Sequence, residues 1–211
     1  MVSFTAREVR DILISMLVIA AIFAYLFSKE LLANGTEIFL NNFIVLIPAL
    51  LVSVGLGFVL HELAHKFVAV RYGFYAEFRM WVEGLIFALF TAFIFSVVFV
   101  APGAVYIHGT NISKEENGKI SIAGPIVNIA LALLFLSLFP LVSHNPTDIV
   151  GYELHVIVTY GFIINSLLAV FNLIPLGPLD GAKVLSWNPV IWILIFIVAI
   201  ILAAKAYFGI Y

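Results

Sequence analysis

The residues best suited to chemistry stand together at His61-Glu62-Leu63-Ala64-His65. On a helix, side chains four apart stack on one face, so both imidazoles can meet a single ion. Glu62 follows His61 and points about 100° further around the helix, where it can reach a metal-bound water without ligating the metal. Neutral ring nitrogens suit zinc, which lowers the pKa of a bound water to roughly 7, and a nearby carboxylate can take that proton. The chemistry implied is metal-assisted hydrolysis. The chain contains no cysteine, so a metal here must be held by His, Asp, Glu or water.

The five residues alone are only moderately specific, and their setting adds weight. They lie inside the apolar stretch 43–72, about 10 residues and roughly 15 Å from its end. Ionisable groups in hydrocarbon are costly unless partnered, which favours a functional site over a polar face that only bonds neighbouring helices. A tetrahedral catalytic zinc needs a third protein ligand. His108, Glu153, His155 and Asp180 are the candidates in or near apolar segments. Asp180 follows Pro175, Gly177 and Pro178, which break a helix, and broken backbone at membrane depth is tolerated where it lines a cavity. Asp180-Gly181 reads equally well as an ordinary turn at the membrane edge. On the residues alone, the two readings stand side by side.

The elements that must position these groups follow from composition. Of 211 residues, 64% are hydrophobic and only 10% charged, and mean hydropathy is +1.19. That is too little charge to cover a soluble domain, so the solvent around most of the chain is lipid. A net charge of −2 offers no basic footprint for nucleic acid. Six apolar stretches approach the roughly 20 residues a bilayer demands: 11–28, 43–72, 85–101, 120–142, 152–171 and 188–208. The first lacks a small-residue cleavage pattern and is expected to be a retained helix.

The stretch 85–101 is short and runs into Pro102-Gly103. If it returns to its own side and the N-terminus is cytoplasmic, Arg7, Arg10, Arg71, Arg79, Lys114, Lys119 and Lys183 all face the cytoplasm, as basic residues tend to. A full crossing would put Lys114 and Lys119 outside. Five complete spans plus a re-entrant or interfacial segment are therefore expected. Residues 74–82 alternate apolar and polar, and Gly103–His108 is short, β-branched and aromatic, so both are expected as strands on the cytoplasmic face. The fold class is an all-α polytopic membrane protein with a small β segment, a single unit over 1–211 with its core at 43–183.

Three motifs in order, His61-Glu62-Leu63-Ala64-His65, then Ala123-Gly124-Pro125-Ile126-Val127-Asn128, then Asn172…Pro175…Leu179-Asp180-Gly181, resemble the site-2 protease family of intramembrane zinc metalloproteases. The resemblance covers about 58–183. It implies His61, His65 and Asp180 as zinc ligands and Glu62 as general base. It also implies Asn172 and Asn128 as polar groups near the substrate or its developing oxyanion, although a buried amide between helices can simply bond a neighbour. Gly124-Pro125 is expected to open its helix. His108, His144 and His155 fall outside the motifs and are expected at the surface or interface. The stretch 85–101 is additional to the simplest family members, whose two flanking helices run antiparallel, which again favours a re-entrant segment.

The expected function is therefore zinc-dependent hydrolysis of peptide bonds in or near transmembrane segments, in a multi-pass protein of the cell membrane. The partners are a transmembrane substrate and the lipid bilayer. The oligomeric state is left open. The competing reading is a transporter or metal-binding membrane scaffold, against which stand the absence of internal repeats and the presence of Glu62.

Overall fold

The computed structural model describes residues 2–96, 98, 102–109, 111–142 and 147–209. Helix α1 (Ala6–Ser28) starts at Thr5, whose hydroxyl accepts the Glu8 N–H. Helix α2 (Thr36–Leu50) passes through one widened turn, Leu51–Gly55, into α3 (Leu56–Arg71), the helix of the two histidines. The stretch expected as one span is thus two helices with a π-type turn between them. Gly73, at φ +86°, turns the chain out of α3.

Strands β1 (Tyr75–Met80) and β2 (Gly103–His108) pair antiparallel, with Phe78 opposite Val105 and Met80 opposite Gly103. The first strand is shorter at both ends than the alternation 74–82 suggested, because Trp81 already bonds to Pro102 and leads into α4 (Val82–Phe95). That apolar helix has 14 residues, too short to cross, and Ser96 ends it in a left-handed conformation. A segment whose two ends are cross-strand neighbours leaves and returns at one place. It is re-entrant. Residues 97 and 99–101 of the expected stretch, and His144, lie outside the described residues.

Helix α5 runs Lys114–Leu138, α6 Ile149–Leu173, α7 Asp180–Trp187 and α8 Pro189–Tyr207. Among the described residues, five helical segments are long and apolar enough to span a bilayer: Ala6–Asn34, Thr36–Arg71, Lys114–Leu141, Ile149–Leu173 and Pro189–Tyr207. The protein is an all-α polytopic membrane protein with a small two-stranded sheet. The expectation that Gly124-Pro125 opens a helix is corrected: α5 begins ten residues earlier, and Pro125 lies in its interior. A capping box decides this, since Ser113 accepts the Glu116 N–H while the Glu116 carboxylate accepts the Ser113 N–H.

One anchor ties the N-terminus to the histidine helix. Lys66, next to His65, is 1% exposed and donates to both oxygens of Glu8 at 2.6 Å and to Ser3 O at 2.7 Å. Glu8 is fully buried and also accepts the Phe78 N–H of β1 at 3.0 Å. Helix α1, helix α3 and the sheet thus meet at one ion pair. A buried charge left without its partner is strongly destabilising, whereas replacing both members by apolar groups costs far less. Lys66→Met is expected to lose about 3–5 kcal/mol of unfolding free energy in mixed micelles, and Glu8→Leu/Lys66→Met together to lose less than Lys66→Met alone.

Candidate metal centre

His61 and His65 are one turn apart on α3 and both buried. Their Nε2 atoms lie 3.1 Å apart. Asp180, the first residue of α7, places Oδ2 3.4 Å from His61 Nε2 and 3.1 Å from His65 Nε2. The break 174–179 between α6 and α7 delivers this carboxylate. Gly181 permits the delivery, because a side chain there would collide with the backbone carbonyl of Leu173 at the end of α6. Lys183 approaches the other oxygen, Oδ1, at 3.6 Å, leaving Oδ2 turned to the imidazoles.

The far side of each ring fixes its tautomer. His65 Nδ1 lies 2.8 Å from the Ile120 carbonyl, which can only accept, so Nδ1 carries the proton. His61 Nδ1 lies 2.5 Å from Asn128 Oδ1. The Asn128 amide nitrogen faces two acceptors, Gly57 O at 3.3 Å and Asn165 Oδ1 at 2.8 Å, so Oδ1 is correctly the atom toward His61. In the neutral rings that ligate a metal, both Nε2 atoms then present lone pairs, and the third group is a carboxylate. Three acceptors converge with no donor among them.

A cation resolves that arrangement. Zinc–nitrogen bonds of about 2.0–2.1 Å in a tetrahedron put neighbouring donors roughly 3.3–3.4 Å apart, close to the triangle seen here. Space is kept for an ion by Gly124 of α5: a Cβ there would lie 2.5 Å from both Nε2 atoms. Among the described residues, His61, His65 and Asp180 form the group of side chains able to hold a metal. The donor set fits zinc.

Glu62 is buried beside the cluster, and its Oε2 accepts the Val105 N–H of β2 at 3.1 Å. The hairpin thereby holds the carboxylate that the sequence singled out. Asn128 is fully buried, with its oxygen spent on His61 and its nitrogen on Gly57 and Asn165. In this structure its polar atoms are turned to a ring and to neighbouring helices, the alternative that a buried amide leaves open. Asn172, in the last turn of α6, donates to Leu168 O at 3.0 Å within its own helix. Of the other third-ligand candidates, His108 is exposed on β2 against Tyr75, while Glu153 and His155 sit in the first two turns of α6. The residues missed in the sequence are Asn165, Val105 and Lys183. Only Lys183 carried a signal, its spacing of three from Asp180.

A protein of Methanocaldococcus jannaschii, provisionally named a zinc metalloprotease, is 44% identical over 193 residues, covering 91% of this chain and 90% of that one. The chain belongs to that zinc metalloprotease family. A second protein of the same organism, named a zinc metalloprotease, is 34% identical over 151 residues, covering 69% of this chain and 35% of its own greater length. No family profile and no solved structure matches the chain. The convergence at Gly124 generates a direct test of the centre. Gly124→Ala puts a methyl against both Nε2 atoms, and the purified variant is expected to hold little zinc while the wild type holds close to one equivalent, measured by metal analysis.

Proposed function

We propose that this metalloprotease is an intramembrane enzyme of the site-2 protease type, cutting peptide bonds in or next to transmembrane segments. The observation that carries the reading is the location of the donors. Two of the three sit in the apolar segment Thr36–Arg71, and all three are buried among helices of spanning length. In this reading His61, His65 and Asp180 are the metal ligands and Glu62 is the general base. A bound zinc supplies Lewis acidity toward the scissile carbonyl and toward water.

The chain's own residues do the rest. Glu62 accepts a proton from the attacking water and returns it to the leaving amine. The Val105 N–H fixes which way that carboxylate faces. Asn172 stands where α6 breaks, and turning its amide from Leu168 O would offer a donor to the developing oxyanion. A helical substrate must unwind before attack, since its peptide groups are paired internally. The β2 edge bearing the Val105 N–H faces Glu62 and offers an unwound segment a place to add as a strand. The N-terminus is assigned to the cytoplasm from the distribution of Lys and Arg, and the host membrane is taken as the cell membrane from the protein's small size.

Cleavage of detergent-solubilised single-span peptides tests the proposal, with zinc measured on each protein. Glu62→Gln is expected to abolish cleavage and keep its zinc, while Asp180→Asn loses zinc. A zinc-loaded wild type that cuts soluble unfolded peptides but no single-span peptide would overturn intramembrane cleavage. Ile107 shares the Val105 edge, so Ile107→Pro removes an outward N–H without touching the pairing to β1. Its cleavage of a transmembrane peptide is expected to fall at least several-fold, and unchanged cleavage would rule out strand addition there.

A further inference from the structure

We infer that Asn165, which lies on α6 and hydrogen-bonds Asn128 and backbone carbonyls, is a positioning residue that sets the tautomer of His61 together with the Gly57 carbonyl. The inference rests on the reading of His61 as a metal ligand. An amide side chain can turn over, exchanging its oxygen and nitrogen at little cost unless its neighbours forbid it. Were Asn128 to turn, it would present its NH₂ to His61. The ring would then accept at Nδ1 and carry its proton on Nε2, the atom that must be bare to ligate.

Asn165 prevents this. Its Nδ2 donates to two backbone carbonyls, Gly161 O at 2.8 Å and Ser53 O at 3.2 Å. Carbonyls cannot exchange roles, so Asn165 is forced to aim its Oδ1 away from them. That oxygen accepts from Asn128 Nδ2 at 2.8 Å, the shorter of that nitrogen's two bonds beside Gly57 O at 3.3 Å, and the two acceptors together turn Asn128 Oδ1 to His61. The order runs from fixed backbone acceptors through two amides to the ring, each bond dictating the next. His65 needs no such relay, because the Ile120 carbonyl faces it directly.

The fold makes room for the relay at specific points. Asn128 and Asn165 are both fully buried, so water cannot substitute for either partner. Gly57 lets Asn165 reach α3: a Cβ at Gly57 would lie 2.5 Å from Asn165 Oδ1 and 3.0 Å from its Nδ2. Ser53 sits within the widened turn Leu51–Gly55, so a local departure from α-helix supplies one of the two fixing carbonyls. Outer partners of metal-bound histidines typically govern affinity by 10–100-fold, and a relay that selects the tautomer acts on the same quantity.

Two substitutions separate this role from packing. Asn165→Leu keeps the volume and removes every polar atom, leaving the Gly57 carbonyl, at 3.3 Å, alone to hold Asn128 against turning. Asn165→Asp, as the protonated acid whose hydroxyl donates to Gly161 O, keeps the acceptor that faces Asn128. The relay therefore orders zinc affinity as wild type close to Asn165→Asp, with Asn165→Leu weaker by roughly 10–100-fold. A purely structural role reverses that order, since a buried carboxyl is harder to accommodate than an apolar side chain. The measurement is zinc affinity of the full-length protein in detergent by chelator competition, with the melting temperature of each metal-free protein beside it. Unchanged affinity in Asn165→Leu, or a loss in Asn165→Asp equal to that in Asn165→Leu, overturns the relay and leaves the metal centre standing. If Asn165→Leu does not fold, a folded Asn165→Asp decides alone: affinity close to wild type supports the relay, and a loss of tenfold or more overturns it. A wild type that holds no zinc removes the metal-site reading itself, and the relay with it.

Discussion

Three electron pairs pointing at one another inside a lipid-facing protein repel unless a cation lies among them. His61 Nε2, His65 Nε2 and Asp180 Oδ2 meet at 3.1–3.4 Å, with each ring's proton committed on the opposite side. Much of the surrounding structure serves to bring these groups together and to keep them bare. The break after α6 carries Asp180 in, Gly124 keeps the space between the rings clear, and backbone carbonyls fix both tautomers, one directly and one through two amides. Such an arrangement is unfavourable empty, and that is what makes it a strong receptor for a metal.

Burial in an apolar chain also explains how the polar residues are distributed. With no water in the hydrocarbon, each buried polar group needs a protein partner. Lys66 finds Glu8 and Ser3 O, Glu62 finds the Val105 N–H, and Asn165 finds Ser53 O and Gly161 O. These partnerships join α1, α3, α6 and the hairpin around one face of the histidine helix. The ion pair that anchors α1 also holds β1, through the Phe78 N–H, and β1 holds the strand that touches Glu62. The anchor and the Glu62 carboxylate are therefore connected through a single two-stranded sheet.

The hairpin and its apolar helix illustrate how pairing decides topology. Hydropathy marks 85–101 as a near-span, yet Met80 and Gly103 are cross-strand partners, so the chain returns to its starting point. The long segment Thr36–Arg71 shows the opposite case. It is one span by hydropathy, but its widened turn changes which backbone groups face α6.

Local pattern was enough for the histidine pair and its carboxylate, because spacing on a helix determines which side chains share a face. It was enough for the five spans, because their length and apolarity are set by the bilayer, and for both strands to within a residue or two. The start of α5 was misplaced at Gly124-Pro125, because the capping box of Ser113 and Glu116 outweighs the proline. The third ligand was ambiguous among four residues, since nothing local states how a broken helix folds back over a distant one. The duty of Asn128 could not be read either: an amide's role depends on which groups surround it, and those come from residues 37 and 67 positions away. Tertiary structure alone decided that Asn128 faces a histidine, that Asn165 stands behind it, and that Glu62 leans on a strand, because hydrogen bonds between distant segments leave no periodic trace in the chain.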